Sequence, residues 1–169
     1  MLYHIVTVAR NYVIGKDNKL PWHFAEDRQY FRKLTAGSTI LIGRKAYDGI
    51  EKPLPGRDVL ILSKTRPAAG KDPRYFRSLG EALGAVKTKD VFICGGAELY
   101  RETLAFADGV YMTRIDADYE GDAFYPPLPP SFEERSRRLL REDPKLEAFF
   151  YQNTPAKECN CCDHKGNKV

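Results

Sequence analysis

The chain predicts an α/β domain: a central, mostly parallel twisted sheet of about eight strands, helices on both faces, and a C-terminal antiparallel strand pair. Three observations carry that prediction. Short apolar runs alternate with stretches of helical period, the pattern of parallel strands joined by helical crossovers. Near the end the alternation stops. Two long strand-like segments, 132–141 and 147–153, follow one another there, separated by Asp143-Pro144-Lys145, a turn signal. The length of 169 residues suits a single core that needs no staples.

Taken in order, residues 2–9 (LYHIVTVA) form the first strand candidate, followed by 39–43 (TILIG), 58–62 (DVLIL), 91–94 (VFIC) and 110–115 (VYMTRI). Helix candidates are 25–35, 45–50, 79–86 and 97–104. Residues 126–130 (PPLPP) give a rigid extended connection in which no helix can form. Periodicity is lost over 154–169, which reads as a polar tail following a domain of residues 1–153.

With 43% hydrophobic and 30% charged residues the composition is that of a soluble globular protein. No run of apolar residues is long enough to span a bilayer, and no basic segment leads into an apolar one as in a secretory signal. A cytoplasmic address and no membrane partner are the expectations. A formal net charge of +4 without aromatics interleaved among dense cations argues against nucleic acid, yet suits a small anionic ligand.

The helix at 25–35 holds the most informative side chain. Asp27, Tyr30, Phe31 and Leu34 share one stripe, while Glu26, Arg28, Gln29, Arg32 and Lys33 lie opposite. A carboxylate on the core-facing stripe is costly unless paired, because burial disfavours its charge. Glu26 instead reads as a first-turn acid that complements the helix dipole. Before the helix, Val13 to Trp22 makes a long connection ending in Leu20-Pro21-Trp22, and long loops in compact domains usually serve binding. The indole N–H of Trp22 could hold a water beside the carboxylate.

Three strand-to-helix junctions suit phosphate groups. Ile42-Gly43-Arg44-Lys45-Ala46 joins a glycine and two cations to a helix start. Leu62-Ser63-Lys64-Thr65-Arg66 places hydroxyls and cations at a strand's carboxyl end, the edge at which open α/β sheets bind ligands. Ile93-Cys94-Gly95-Gly96-Ala97-Glu98-Leu99-Tyr100 sets paired glycines where a backbone can approach a ligand. Together they point to a dinucleotide, although no Gly-x-Gly-x-x-Gly fingerprint is present.

The order Val13-Ile14-Gly15, Leu20-Pro21-Trp22, Asp27, Gly43-Arg44, Pro53-Leu54-Pro55-Gly56-Arg57, Gly95-Gly96, Tyr111, Thr113 and Gly121-Asp122 resembles bacterial-type dihydrofolate reductase over residues 1–153. The resemblance implies reduction of 7,8-dihydrofolate to tetrahydrofolate with hydride from NADPH. It implies Asp27, Trp22 and Leu20 as catalytic residues, Asp27 gripping the pterin amide edge and promoting N5 protonation through a water near Trp22. Leu20 would belong to a mobile loop that Asp122 pins. Ile5, Phe31, Ile50 and Leu54 would wall the pterin and benzoyl rings. Arg57 would fork onto the α-carboxylate of the glutamate tail. Thr113 would support Asp27, and Cys94 would offer its carbonyl to the pterin.

For the cofactor, the resemblance implies Thr7, Ile14, Gly15, Gly43, Arg44, Lys45, Ala46, Leu62, Ser63, Lys64, Thr65, Arg77, Gly95, Gly96, Ala97, Glu98, Leu99 and Tyr100. Arg44, Ser63, Lys64 and Thr65 would read the adenosine 2′-phosphate, and Gly95 and Gly96 would be joined by a cis peptide. A monomer that binds antifolates follows from the same likeness.

Three features depart from the family. Ala46 stands where a hydroxyl usually meets the cofactor pyrophosphate, a loss of about 0.5–1.5 kcal/mol for one neutral hydrogen bond. Arg28 replaces a leucine or glutamine beside the benzoylglutamate. The tail has no counterpart, and its Cys159-x-Cys161-Cys162-x-His164 could chelate Zn²⁺ or Cu(I), but the spacing is cramped and no metal is assigned. His4 and His23 are expected to be structural. The rival enzyme is a same-fold riboflavin-pathway reductase that also uses NADPH, which would need neither Asp27 nor the Arg57 carboxylate site.

Overall fold

The computed structural model describes residues 1–50, 54–65 and 74–154. Among them, strands β1 (Leu2–Ala9), β2 (Val13–Gly15), β3 (Thr39–Gly43), β4 (Asp58–Leu62), β5 (Tyr75–Phe76), β6 (Val91–Ile93), β7 (Gly109–Ile115), β8 (Ala123–Phe124), β9 (Phe132–Glu142) and β10 (Lys145–Asn153) alternate with helices. The helices are α1 (Ala25–Thr35), α2 (Arg44–Asp48), α3 (Leu79–Gly84) and α4 (Ala97–Thr103), the last running into a 3₁₀ turn at Leu104–Phe106.

The main sheet has eight strands in the order β5-β4-β3-β6-β1-β7-β10-β9. The first six are mutually parallel, and β10 is antiparallel to both β7 and β9. This is the predicted architecture. Three elements were missing from the expectation: β2, β5 and β8 are two or three residues long, too short to show a period. The connection after β1 is therefore not wholly a loop, because its first residues pair with β8. Helices α2 and α3 end two residues before their predicted limits, and Cys94 lies just beyond β6, because the last turn of an element frays.

Strand alternation sorts the core into two faces. Val6, Val8, Leu41, Leu60 and Ile93 pack with Ala82 of α3 and with Leu99 and Tyr100 of α4. On the opposite face, Ile40, Ile42 and Ile61 pack with Phe31 of α1 and Tyr47 of α2. Ile40, Leu41, Ile93, Val110 and Leu146 are completely covered, each such side chain contributing about 1.5–3 kcal/mol.

The small β2–β8 sheet anchors the loop that follows. The backbone N–H of Asp122 donates to Gly15 O at 3.0 Å, and that of Asp17 donates to Asp122 Oδ2 at 3.2 Å. From the other side, Gly49 abuts the Asn18 carbonyl so closely that a Cβ there would collide with it. The loop is thus clasped at both Asp17 and Asn18.

His4 is structural, as expected. It is fully buried, its Nε2 lying 2.6 Å from Thr103 Oγ1 and its Nδ1 2.9 Å from Tyr125 Oη. Thr103 spends its own proton on Leu99 O at 2.7 Å, so Nε2–H must donate and Nδ1 must accept from the tyrosine. Burial pushes the imidazole down to about 3. An unfolded histidine titrates near 6.5, so acid protonates the unfolded chain first. The stabilisation is complete above pH ~6.5 and is lost as pH falls towards ~3, a sum of several kcal/mol at ~1.4 kcal/mol per unit. His4→Gln is expected to lower stability at neutral pH but to flatten this acid decline, as read by urea melts between pH 7 and 4. A decline as steep as the wild type's would place the sensitivity elsewhere.

Candidate active site

Helix α1 offers its Asp27 stripe to a cleft rather than to packed core. Asp27, Tyr30 and Phe31 all line a cavity of about 850 Å³, and only Thr35 of the helix is fully buried. The cavity is at the upper end for small-molecule sites. Glu26, in the first turn as expected, is further held by Arg141 Nη1 at 3.3 Å. Thr7 Oγ1 contacts the Asp27 carboxylate at 2.9 Å to Oδ1 and 2.8 Å to Oδ2, and Thr113 also bonds to it. Desolvation raises the acid's pKa, opposed by the two hydroxyls and then by Arg28. Trp22 is buried with its Nε1 unpartnered among the described residues, a donor left for a ligand or a water.

Because β3, β4 and β6 run parallel, their carboxyl ends converge on one rim of the sheet. Gly43 N–H donates to Gly95 O at 2.9 Å, and the Gly95–Gly96 peptide is cis. A Cβ on Gly43 would lie 3.6 Å from Gly96 N, so the two junctions touch through bare backbone. Arg44, Lys45, Lys64 and Arg77 line this end of the cavity. Helix α2 is one short turn, so cations and backbone donors outweigh its dipole, contrary to the weight first given to it.

At the other end, Arg57 sits before β4 after a Pro55-Gly56 turn whose glycine has φ 75°, a conformation that suits glycine. Its guanidinium lies over the Phe31 ring, 5.6 Å from the centroid. Its Nε and Nη1 are buried without partners among the described residues. Burial and then the charge of Arg32 disfavour its protonation, so an anion arriving here is favoured twice.

The cleft thus sets a desolvated carboxylate, Asp27, between cation-rich ends. The family model described as dihydrofolate reductase matches residues 1–154. The chain belongs to the dihydrofolate reductase family. It is 34% identical over 144 residues to the dihydrofolate reductase of Bacillus subtilis (strain 168), covering 85% of this chain and 83% of that one. It is 37% identical over 129 residues to that of Haemophilus influenzae, covering 73% and 78%. A solved dihydrofolate reductase from Enterococcus faecalis, complexed with NADP(H) and RAB-propyl, superposes with a TM-score of 0.81 at 28% identity, covering 90% of this chain and 95% of that one. The family is one of NADPH-dependent oxidoreductases, and the riboflavin-pathway alternative is not favoured.

The catalytic, substrate and cofactor residues assigned through the family all line the cleft save one. Ile5, Thr7, Ile14, Gly15, Leu20, Trp22, Asp27, Phe31, Ile50, Leu54, Leu62, Cys94 and Thr113 line it, as does the whole phosphate-side set from Gly43 to Ala46, Ser63 to Thr65, Arg77 and Gly95 to Tyr100. Arg57 is the exception and stands just behind Phe31. Some side chains are engaged differently from expectation. The Thr7 hydroxyl is spent on Asp27, Ser63 Oγ donates to Thr65 O at 2.5 Å, and Lys64 meets Glu98 at 3.1 Å. That last pair is largely exposed, so little opposes its exchange for a phosphate. Tyr100 Oη donates to Ile5 O at 2.7 Å and so ties α4 to β1. Burial drives the Cys94 thiol up and out of reactivity.

Lining residues that the sequence did not single out include Asn18, Arg32, Gly49, Leu79, Glu102 and Ala123. Arg32 was expected with Arg28 on the solvated side opposite Asp27, yet both reach the cleft wall; the others are brought in by loop and crossover geometry. These donors fit NADPH, since bare glycine backbone and four cations border a partly apolar cleft. Among the described residues no cluster of His, Cys, Asp and Glu is arranged to hold a metal. The cysteine-rich motif of the tail, Arg66 and Pro53 lie outside the described residues.

Proposed function

We propose that this cleft reduces 7,8-dihydrofolate to 5,6,7,8-tetrahydrofolate, with Asp27 promoting protonation of the pterin N5. The observation that carries this reading is a desolvated carboxylate, clamped by threonine hydroxyls in a cleft with cations at both ends. When bound, NADPH supplies a hydride for the pterin C6. The chain's own work is the rest. Asp27, when ionised, accepts hydrogen bonds from the 2-amino and N3 groups and so sets the ring's orientation. Its raised proton affinity keeps a proton within reach at working pH. Trp22 directs its free indole N–H at the water that relays this proton.

Ile5, Phe31, Ile50 and Leu54 exclude solvent from the rings, and Leu20, on the clasped loop, covers the reacting edge. Arg57 takes the α-carboxylate of the tail. Arg44 and Lys64 favour a 2′-phosphate, and Gly43, Gly95 and Gly96 allow the close backbone approach. We assign all of this to residues 1–153. No helix among the described residues is long and apolar enough to cross a membrane. We read the protein as a cytoplasmic monomer that binds no nucleic acid and is inhibited by antifolates.

The test is loss of NADPH absorbance with dihydrofolate and purified protein. NADPH should be oxidised well ahead of NADH, and methotrexate should stop the reaction. Folded protein that oxidises no NADPH under these conditions would overturn the reading and revive the riboflavin-type reductase.

A further inference from the structure

Strand register places two threonines side by side under the acid. β1 and β7 are parallel neighbours in which Thr7 is the Cα partner of Thr113. Both residues therefore project to the same face, the one on which α1 presents Asp27. Thr113 was expected to support the carboxylate. Thr7 was expected among the cofactor contacts, yet its hydroxyl lies within 2.9 Å of both carboxylate oxygens. One hydroxyl has one proton, so this is a shared, three-centre bond to a charged acceptor.

We propose that Thr7 is a positioning residue for Asp27, holding its carboxylate in place and opposing its uptake of a proton. The proposal rests on the function assigned above, but the bond itself does not. A buried carboxylate with no donor would take up a proton to escape desolvation. Donors from the strand floor oppose that tendency without adding a charge that would compete with the substrate. Thr7 and Thr113, the groups named on those strands, are both neutral. The charged group felt by Asp27 is Arg28 on its own helix, and Tyr30 is the other titratable side chain coupled to it. Thr7 thus adjusts the acid from below while the amide edge of the substrate meets it from the cleft.

Thr7→Val keeps the β-branched shape that the strand needs and deletes the donor. Loss of one bond to a charged acceptor should move the Asp27 pKa upward by about one unit. The reduction consumes a proton, so activity declines as pH rises through that ionisation. The alkaline fall of kcat/KM for dihydrofolate should therefore shift to higher pH by the same amount, because kcat/KM reports the free enzyme. Thr7→Ser should restore the wild-type profile. In an Asp27→Asn background Thr7→Val should shift nothing.

A ¹³C carboxyl titration of Asp27 in the ligand-free protein measures the same displacement with no reaction required, so it decides the proposal even if dihydrofolate proves not to be the substrate. An Asp27 titration unmoved by Thr7→Val overturns the proposal. So does a kinetic shift that persists in the Asp27→Asn background, which would be a packing effect. A wild type inactive on dihydrofolate would sink the functional reading alone.

Discussion

Asp27→Asn is expected to lower kcat/KM for dihydrofolate by at least ~100-fold near neutral pH, the scale of a lost general acid–base group. The amide keeps the shape but carries no exchangeable acid, and its N–H₂ turns a donor towards the donors of the pterin. NADPH affinity should change little. Activity should recover as pH falls, since solvent can then supply the proton to N5. The same substitution should stabilise the fold. Burial raises the Asp27 pKa above its ordinary value, so the folded state favours the protonated acid. That preference is fully present below the unfolded pKa and is lost as pH rises through the folded one. At pH 7 the wild type therefore carries a desolvated charge that asparagine removes, and Tm should rise there but not in acid. Site and stability are at odds at this residue, a common mark of a functional group. A mutant with the wild type's pH–rate profile would make Asp27 structural.

Arg57→Leu should give the largest effect on substrate affinity. Two of its nitrogens are buried and unpartnered among the described residues, so an arriving carboxylate gains two charge-assisted bonds at once. Losing them should raise KM for dihydrofolate roughly 100-fold, taking about 1.5 kcal/mol for each bond. Leucine keeps an apolar neighbour over Phe31, so the ring wall should survive. A dihydropterin that lacks the glutamate tail separates the readings. Its kinetics should be unchanged in the mutant, whereas an equal loss with both substrates would mean that Arg57 acts through Phe31 packing.

Much of this fold was visible in the chain because its signals are periodic. The stripe of Asp27, Tyr30, Phe31 and Leu34 repeats at helical spacing, and in the structure its first three members line the cleft. The long β9–β10 pair was equally clear, its turn marked by Asp143-Pro144. Non-local geometry was not visible. Nothing in the residues around Thr7 says that β1 and β7 set it opposite Thr113, because parallel register is fixed by packing and not by a turn. Gly49 gave no sign that it borders Asn18. Arg57 was marked by family likeness, not by periodicity, since a cation after Pro-Gly looks like any surface turn until its burial is known.

The two ends of the main sheet differ in how they refuse further strands. At one end β5 is only two residues long, too brief to template a neighbour. At the other, β9 runs for eleven residues with its row of exposed side chains dominated by arginine and glutamate. Charges along an open edge make the addition of another strand unfavourable. Among the described residues, then, neither end of the sheet invites another strand, and the soluble yield of the refolding chain depends on the sign pattern of a strand far from the chemistry. Charge-neutralising drift in β9 would be silent in an activity assay and first noticed as inclusion bodies.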